Sequence, residues 1–230
     1  MSDSIPKNGP LADRIYLILA ALFITSLVVS NLIFQKFVSI DFLGIYTFEI
    51  SVGILPYPIT FLITDIVSEV YGKKKANQMV TTGIFASFFS LAIVWTADHF
   101  NAIPTSPLDN EIFTLVFGAT AVAVFASMMA YLLAQYIDIQ IFHWWKRITK
   151  GKHLWLRNNF STFTSQFVDT FTVLLLLCSF GKLPWEIFTS LLISGFLFKI
   201  LVALLDTPLL YAGVYYLRHL FGLRGSEELR

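Results

Sequence analysis

Six apolar runs, most of them about as long as a membrane-crossing helix, dominate the 230-residue chain. A hydrocarbon core of about 30 Å takes about 20 mainly apolar residues in an α-helix. Residues 15–34, 79–97, 112–134 and 160–180 meet that length. The run 187–216 exceeds it, which predicts a tilt or an extension past the bilayer. Residues 48–66 form a less regular run, interrupted by Pro56 and Pro58. A backbone in lipid must satisfy its own hydrogen bonds, so all six runs are read as helices. The expected fold is all-α: one membrane domain over residues 1–230, a polytopic membrane helix bundle of six transmembrane segments. Composition agrees, with 56% hydrophobic and only 13% charged residues, against about 25% charged in a soluble domain. No small-residue cleavage site follows the first run, which is read as a retained span and not a signal peptide.

Basic residues orient the spans. With the N-terminus in the cytoplasm, thirteen of the 16 Lys and Arg fall inside: Lys7, Arg14, Lys73, Lys74, Lys75, Lys146, Arg147, Lys150, Lys152, Arg157, Arg218, Arg224 and Arg230. Lys36 and Lys182 fall outside, and Lys199 within the last span. That asymmetry predicts an N-in, C-in protein by the positive-inside rule. Trp95, Trp144, Trp145, Trp155 and Trp185 near span ends fit an interfacial aromatic belt. In the fourth span Ala119, Ala123 and Ser127, and likewise Ala126, Ala130 and Ala134, recur every four residues, a spacing that lets helices approach closely in lipid.

Ionisable groups at membrane depth are costly and point to function. Asp65 and Glu69 share one helix face; the alternative is pairing with Lys73–Lys75 at the interface. Asp169 sits in the fifth span with Ser161, Ser165 and Thr172 at helical spacing and Gln166 beside them. That polar stripe is expected to face the bundle interior, as a site or as a network joining helices. Lys199 and Asp206 lie two turns apart on the last span. Each needs a partner, with Asp169 or Asp65 the candidates for Lys199; a purely structural ion pair is the competing reading. Pro56-Tyr57-Pro58 predicts either a discontinuous helix with free carbonyls lining a cavity or simply a helix start. Asn31 and Gln35 either line the cavity or mark the outer boundary of the first span.

Other chemistries find no support. The four histidines lie in predicted loops or at span ends, and neither His-Glu-x-x-His, Gly-x-Ser-x-Gly nor a Gly-rich phosphate loop occurs. Cys178 alone makes neither a disulfide nor a cysteine metal site. No enzyme activity, cofactor or nucleic-acid partner is expected.

The block Pro-Tyr-Pro-Ile-Thr-Phe-Leu-Ile-Thr-Asp-Ile-Val-Ser-Glu-Val-Tyr-Gly-Lys-Lys-Lys (56–75) resembles the queuosine precursor transporter family, also described as vitamin uptake transporters. The resemblance continues through Leu-Ala-Gln-Tyr-Ile-Asp-Ile-Gln-Ile-Phe (133–142), through residues 155–170 and through Phe-Lys-Ile-Leu-Val-Ala-Leu-Leu-Asp-Thr-Pro (198–208). It implies a multi-pass importer in the cell inner membrane for 7-cyano-7-deazaguanine and/or 7-aminomethyl-7-deazaguanine, salvaged for tRNA queuosine. It carries over Asp65, Glu69, Asp169 and Lys199 as family features. Relatives that lack the Ser-Glu-Val-Tyr-Gly-Lys-Lys form leave Glu69 open as a ligand. A more distant similarity, to the substrate-capturing subunits of energy-coupling-factor vitamin importers, implies an alternative role beside an ATPase module; self-association also stays open.

Residues and resemblance together suggest a substrate site of Asp65, Asp169, Lys199, Gln166, Asn31, Tyr57, Glu69 and Asp206. A guanine-like edge offers two adjacent N–H donors to a carboxylate, here Asp169 or Asp65. Tyr57, Phe61 or Phe167 would stack on the flat ring.

Overall fold

The computed structural model describes residues 9–33, 36–44, 46–117, 121–181, 183–223 and 227–229. Among them are seven α-helices and one two-stranded hairpin. Six helical segments are long and apolar enough to span a membrane, as the hydropathy predicts: Gly9–Ile33, Val52–Val70, Gly72–Asp98, Phe125–Ile148, Leu154–Ser179 and Trp185–Phe221. Helix α1 (Gly9–Ile33) leads into strands β1 (Phe37–Phe42) and β2 (Tyr46–Ser51), which pair antiparallel with Phe37 opposite Ser51. The hairpin is a correction: residues 48–51, expected to begin a helix, are strand. Leu43 and Gly44 make the turn at φ 55° and 69°, a left-handed conformation that suits glycine.

After β2 a single 3-10 turn (Val52–Ile54) is capped by Ser51, whose side chain accepts from the Gly53 N–H. Helix α2 (Tyr57–Val70) then begins with Pro58 in its first turn, where the missing N–H costs nothing. The paired prolines therefore mark a helix start beyond a short broken turn. Helix α2 spans only about 21 Å at 1.5 Å per residue. It is the central rod of the bundle: ten of its 14 residues are buried, and it packs against α1, α3 (Gly72–Asp98), α5 (Ala121–Ile148) and α7 (Phe188–Phe221). The outer helices turn large apolar side chains outward, such as Leu17, Phe85 and Leu205, as lipid contact requires.

The α2–α3 reversal takes one residue, Tyr71, followed by Gly72 at φ 82°. Tyr71 donates from its hydroxyl to the Ala12 carbonyl at 2.9 Å. Burial, with Asp13 nearby, pushes its phenol pKa up and keeps that proton in place. The Leu229 N–H donates to the Val70 carbonyl at 2.8 Å. The start of α1, the α2–α3 turn and the chain beyond α7 thus share one end of the bundle, and the hairpin occupies the other.

The fourth span is also corrected. The crossing is not at residues 112–134: among the described residues α4 (Asn110–Phe117) is short and has no buried residue, and the candidate span is the part of α5 from Phe125 to Ile148. Ala126, Ala130 and Ala134 of α5 are buried, as their spacing predicts; Ala119 and the Ala123 side chain lie outside the described residues. Helix α6 (Leu154–Ser179) returns along α5. Its polar stripe is turned inward: Ser161, Ser165, Gln166 and Asp169 are all buried. Helix α7, at 34 residues, outruns the bilayer, and Pro208 sits inside it.

Candidate functional site

Polar residues of α2, α5, α6 and α7 converge around Tyr57, the first residue of α2. The Tyr57 ring lies 5.5 Å from that of Phe61 and meets Tyr131 edge-on at 5.1 Å. Lys199 of α7 sits over the Tyr57 ring, 4.9 Å from its centroid. The same ammonium pairs with Asp169 of α6 at 2.5 Å, and the Tyr57 hydroxyl lies against that carboxylate. Of the two carboxylates open to it, Lys199 therefore takes Asp169, in a pair supported on one face by an aromatic ring.

This trio stands between two cavities. Toward the terminal end, a narrow one of about 30 Å³ is lined by Asp65, Asn158, Gln166 and Asp206 together with Tyr57 and Lys199. It has room for about two water molecules, so a bicyclic ring enters only as side chains move. Toward the hairpin, one of about 190 Å³ is lined by Asn31, Ser51, Tyr131 and Asp169, again with Tyr57 and Lys199. The sequence-nominated residues thus divide: Asp65, Gln166 and Asp206 on one side, Asn31 and Asp169 on the other, Tyr57 and Lys199 on the partition. Gln35 lies outside the described residues. Phe61 is buried at the narrow cavity, whereas Phe167 is 43% exposed on the outer face of α6 and is withdrawn as a stacking candidate.

Asp65 is 2% exposed, and its Oδ1 has no hydrogen-bond partner among the described residues. Its carboxyl reaches that of Asp138 on α5, which accepts from Ser165 Oγ at 2.9 Å. Beside them Thr64 Oγ1 meets Gln135 Oε1 at 3.3 Å, and Gln135 Nε2 donates to the Tyr131 hydroxyl at 2.6 Å. Tyr131, Gln135 and Asp138 were not nominated from sequence; Gln135 and Asp138 lie beyond residue 134, where the fourth span was expected to end. Their spacing of four and three residues, continued by Phe142, places them on one helix face; all four are buried.

Glu69 joins neither cavity. It is 2% exposed, and its carboxylate meets Arg157 at 2.5 Å, Arg218 at 2.5 Å and Lys146 at 3.3 Å. Lys146 also reaches Glu228 at 2.8 Å. Its partners are thus not Lys73–Lys75. Arg157, counted from sequence as a loop cation, lies in the first turn of α6 at 1% exposure and also donates to the Gly151 carbonyl at 2.8 Å. The cluster draws together α2, α5, α6, α7 and the residues after α7 at the terminal end. Asp206 is half-buried and makes no ion pair among the described residues.

Fold and site define a multi-pass membrane protein with buried charged groups at the meeting of four spans, the arrangement of a small-molecule carrier. The family model described as "Putative vitamin uptake transporter" matches residues 51–213, and the chain belongs to that family. A curated relative from Bacillus subtilis (strain 168), named "Probable queuosine precursor transporter", is 28% identical over 163 residues, covering 70% of each chain. No solved structure matches the chain.

Proposed function

We propose that this protein imports queuosine precursors, 7-cyano-7-deazaguanine and/or 7-aminomethyl-7-deazaguanine, across the cytoplasmic membrane for tRNA queuosine salvage. The observation that carries this reading is the narrow cavity, where the buried Asp65 carboxyl and Gln166 face the rings of Tyr57 and Phe61. A flat guanine-like base needs both elements. Its adjacent N–H donors match a carboxylate, and its face stacks on an aromatic ring. Asp65 is the better candidate for that edge, since Asp169 is engaged by Lys199. Family membership and the name of the Bacillus relative support the substrate class.

The terminal end faces the cytoplasm in this reading. It carries Lys73–Lys75, Arg147, Lys150 and Lys152, against Lys36 at the hairpin end. Substrate enters the wider cavity beside Asn31 and the hairpin. Shifting Tyr57 and the Lys199–Asp169 pair admits it to Asp65 and Gln166, and release to the cytoplasm requires the Glu69 cluster to part. The residues act by binding and gating alone, with no enzymatic step and no cofactor. The vitamin-uptake description of the family model favours a second reading, capture for an energy-coupling-factor type ATPase partner.

Equilibrium dialysis of the purified protein against labelled deazaguanines tests the binding step. Saturable binding that Asp65→Asn weakens at least about tenfold is expected, the loss of one charge-assisted hydrogen bond. Absence of binding by folded wild-type protein refutes the site.

A further inference from the structure

The narrow cavity is unbalanced in both hydrogen-bonding character and charge. Asp65 Oδ1, Asn158 Oδ1 and Gln166 Oε1 line it or belong to residues that do, and are buried acceptors; the donor beside them is the single Thr162 hydroxyl, which lies against the Asp65 carboxyl. Carboxylate oxygens cannot exchange roles with a donor as an amide can, so Asp65 weighs most. Lys199, the cation among the lining residues, is engaged by Asp169. The buried cations beyond the cavity, Lys146, Arg157 and Arg218, pair with Glu69 and Glu228; the Arg157 guanidinium also attracts Asp65 through space, whereas Asp206 has no such cation among the described residues. Asp206 is left as a half-buried carboxylate on the cavity wall with no ion pair among the described residues. Asp65 meets a second carboxyl, that of Asp138, which brings no positive charge to it.

A carboxylate at membrane depth without a cation is costly. The ligand that relieves the cavity brings N–H donors and a positive charge. The two deazaguanines differ in that respect. A cyano group is neutral and only accepts, whereas an aminomethyl group is protonated at neutral pH and brings three donors. The guanine-like donors lie on the six-membered ring and the substituent on the five-membered ring, so two separate carboxylates are needed, and Asp65 and Asp206 come from different helices.

We propose that the cavity selects the substrate bearing a protonated amine, with Asp206 receiving the ammonium of 7-aminomethyl-7-deazaguanine while Asp65 holds the ring edge. This inference rests on the import reading given above. The test is uptake of both labelled compounds into cells that lack an importer of their own, with the protein quantified in the membrane. For wild type, half-saturation with the aminomethyl compound is expected at a concentration at least about tenfold lower than with the cyano compound, as one charge-assisted contact supplies. Asp206→Asn is expected to reduce that ratio toward one, and Asp206→Glu to keep most of it. A ratio between two substrates in one variant does not depend on how much protein reaches the membrane. Equal or stronger uptake of the cyano compound by wild type, or a ratio that Asp206→Asn leaves unchanged, overturns the assignment while import stands. Uptake of neither compound by wild type present in the membrane overturns the import reading and this inference with it.

Discussion

Replacing Glu69 by Gln removes one negative charge and leaves a similar shape. In the folded protein that carboxylate is shared by Arg157, Arg218 and Lys146. Arg157 is 1% exposed, so solvent cannot take over the role of its counter-ion. The remaining acid, Glu228, contacts Lys146 and has a side chain 38% exposed. Stranding a buried charge by removing its partner costs about 3–5 kcal/mol. At about 2–4 °C per kcal/mol for a chain of this size, the melting midpoint should fall by about 6–20 °C. The assay is the fluorescence-detected melting of detergent-solubilised wild type and Glu69→Gln. The double variant Glu69→Gln/Arg157→Gln should melt above Glu69→Gln alone, because the second change removes the stranded charge. A Glu69→Gln midpoint within about 2 °C of wild type would refute the view that this cluster holds the terminal end together.

Three further outcomes follow from the same contacts. Asp169→Asn leaves Lys199 without its carboxylate, at a side-chain exposure of 11%, and should abolish uptake of labelled deazaguanine; uptake at wild-type level would remove Asp169 from the partition. Tyr57→Phe keeps the ring over which Lys199 sits and should retain measurable uptake, while Tyr57→Ala, which opens the partition between the cavities, should lose it. Gly83→Val should destabilise the detergent-solubilised protein by about 1–3 kcal/mol as an overpacked contact, because a Cβ at Gly83 meets the Phe23 ring at 2.5 Å; an unchanged melting midpoint would contradict the close α1–α3 approach.

Much of the architecture was legible because hydrocarbon imposes a length and a composition on every span. The inward polar stripe of α6 and the need of Lys199 for a carboxylate partner, Asp169 or Asp65, followed from the same logic, since neither group is tolerable against lipid; the structure selects Asp169. The failures also have physical causes. Helix α5 carries Gln135, Asp138, His143 and Lys146 in its second half, which lowers its hydropathy below that of residues 112–134. Gln135, Asp138 and Lys146 are tolerated because Tyr131, Ser165, Glu69 and Glu228 meet them, and a tertiary partner is invisible to a window along the sequence. Arg157 was assigned to a loop for the same reason. The hairpin carried a readable signal, a short run rich in β-branched and aromatic residues with Gly44 between its halves. The expectation of helices alone concealed it. That Tyr57 and Lys199 divide two cavities depends on how α2, α6 and α7 cross, which no spacing in the chain encodes.

The most direct test of import is the queuosine content of tRNA in a host that cannot make the precursor and lacks an importer of its own. Each deazaguanine is supplied at low concentration, with and without this protein expressed alone. The account predicts restored queuosine with wild type, and none with Asp169→Asn at equal membrane abundance. No restoration by wild-type protein present in the membrane would contradict import by this chain on its own.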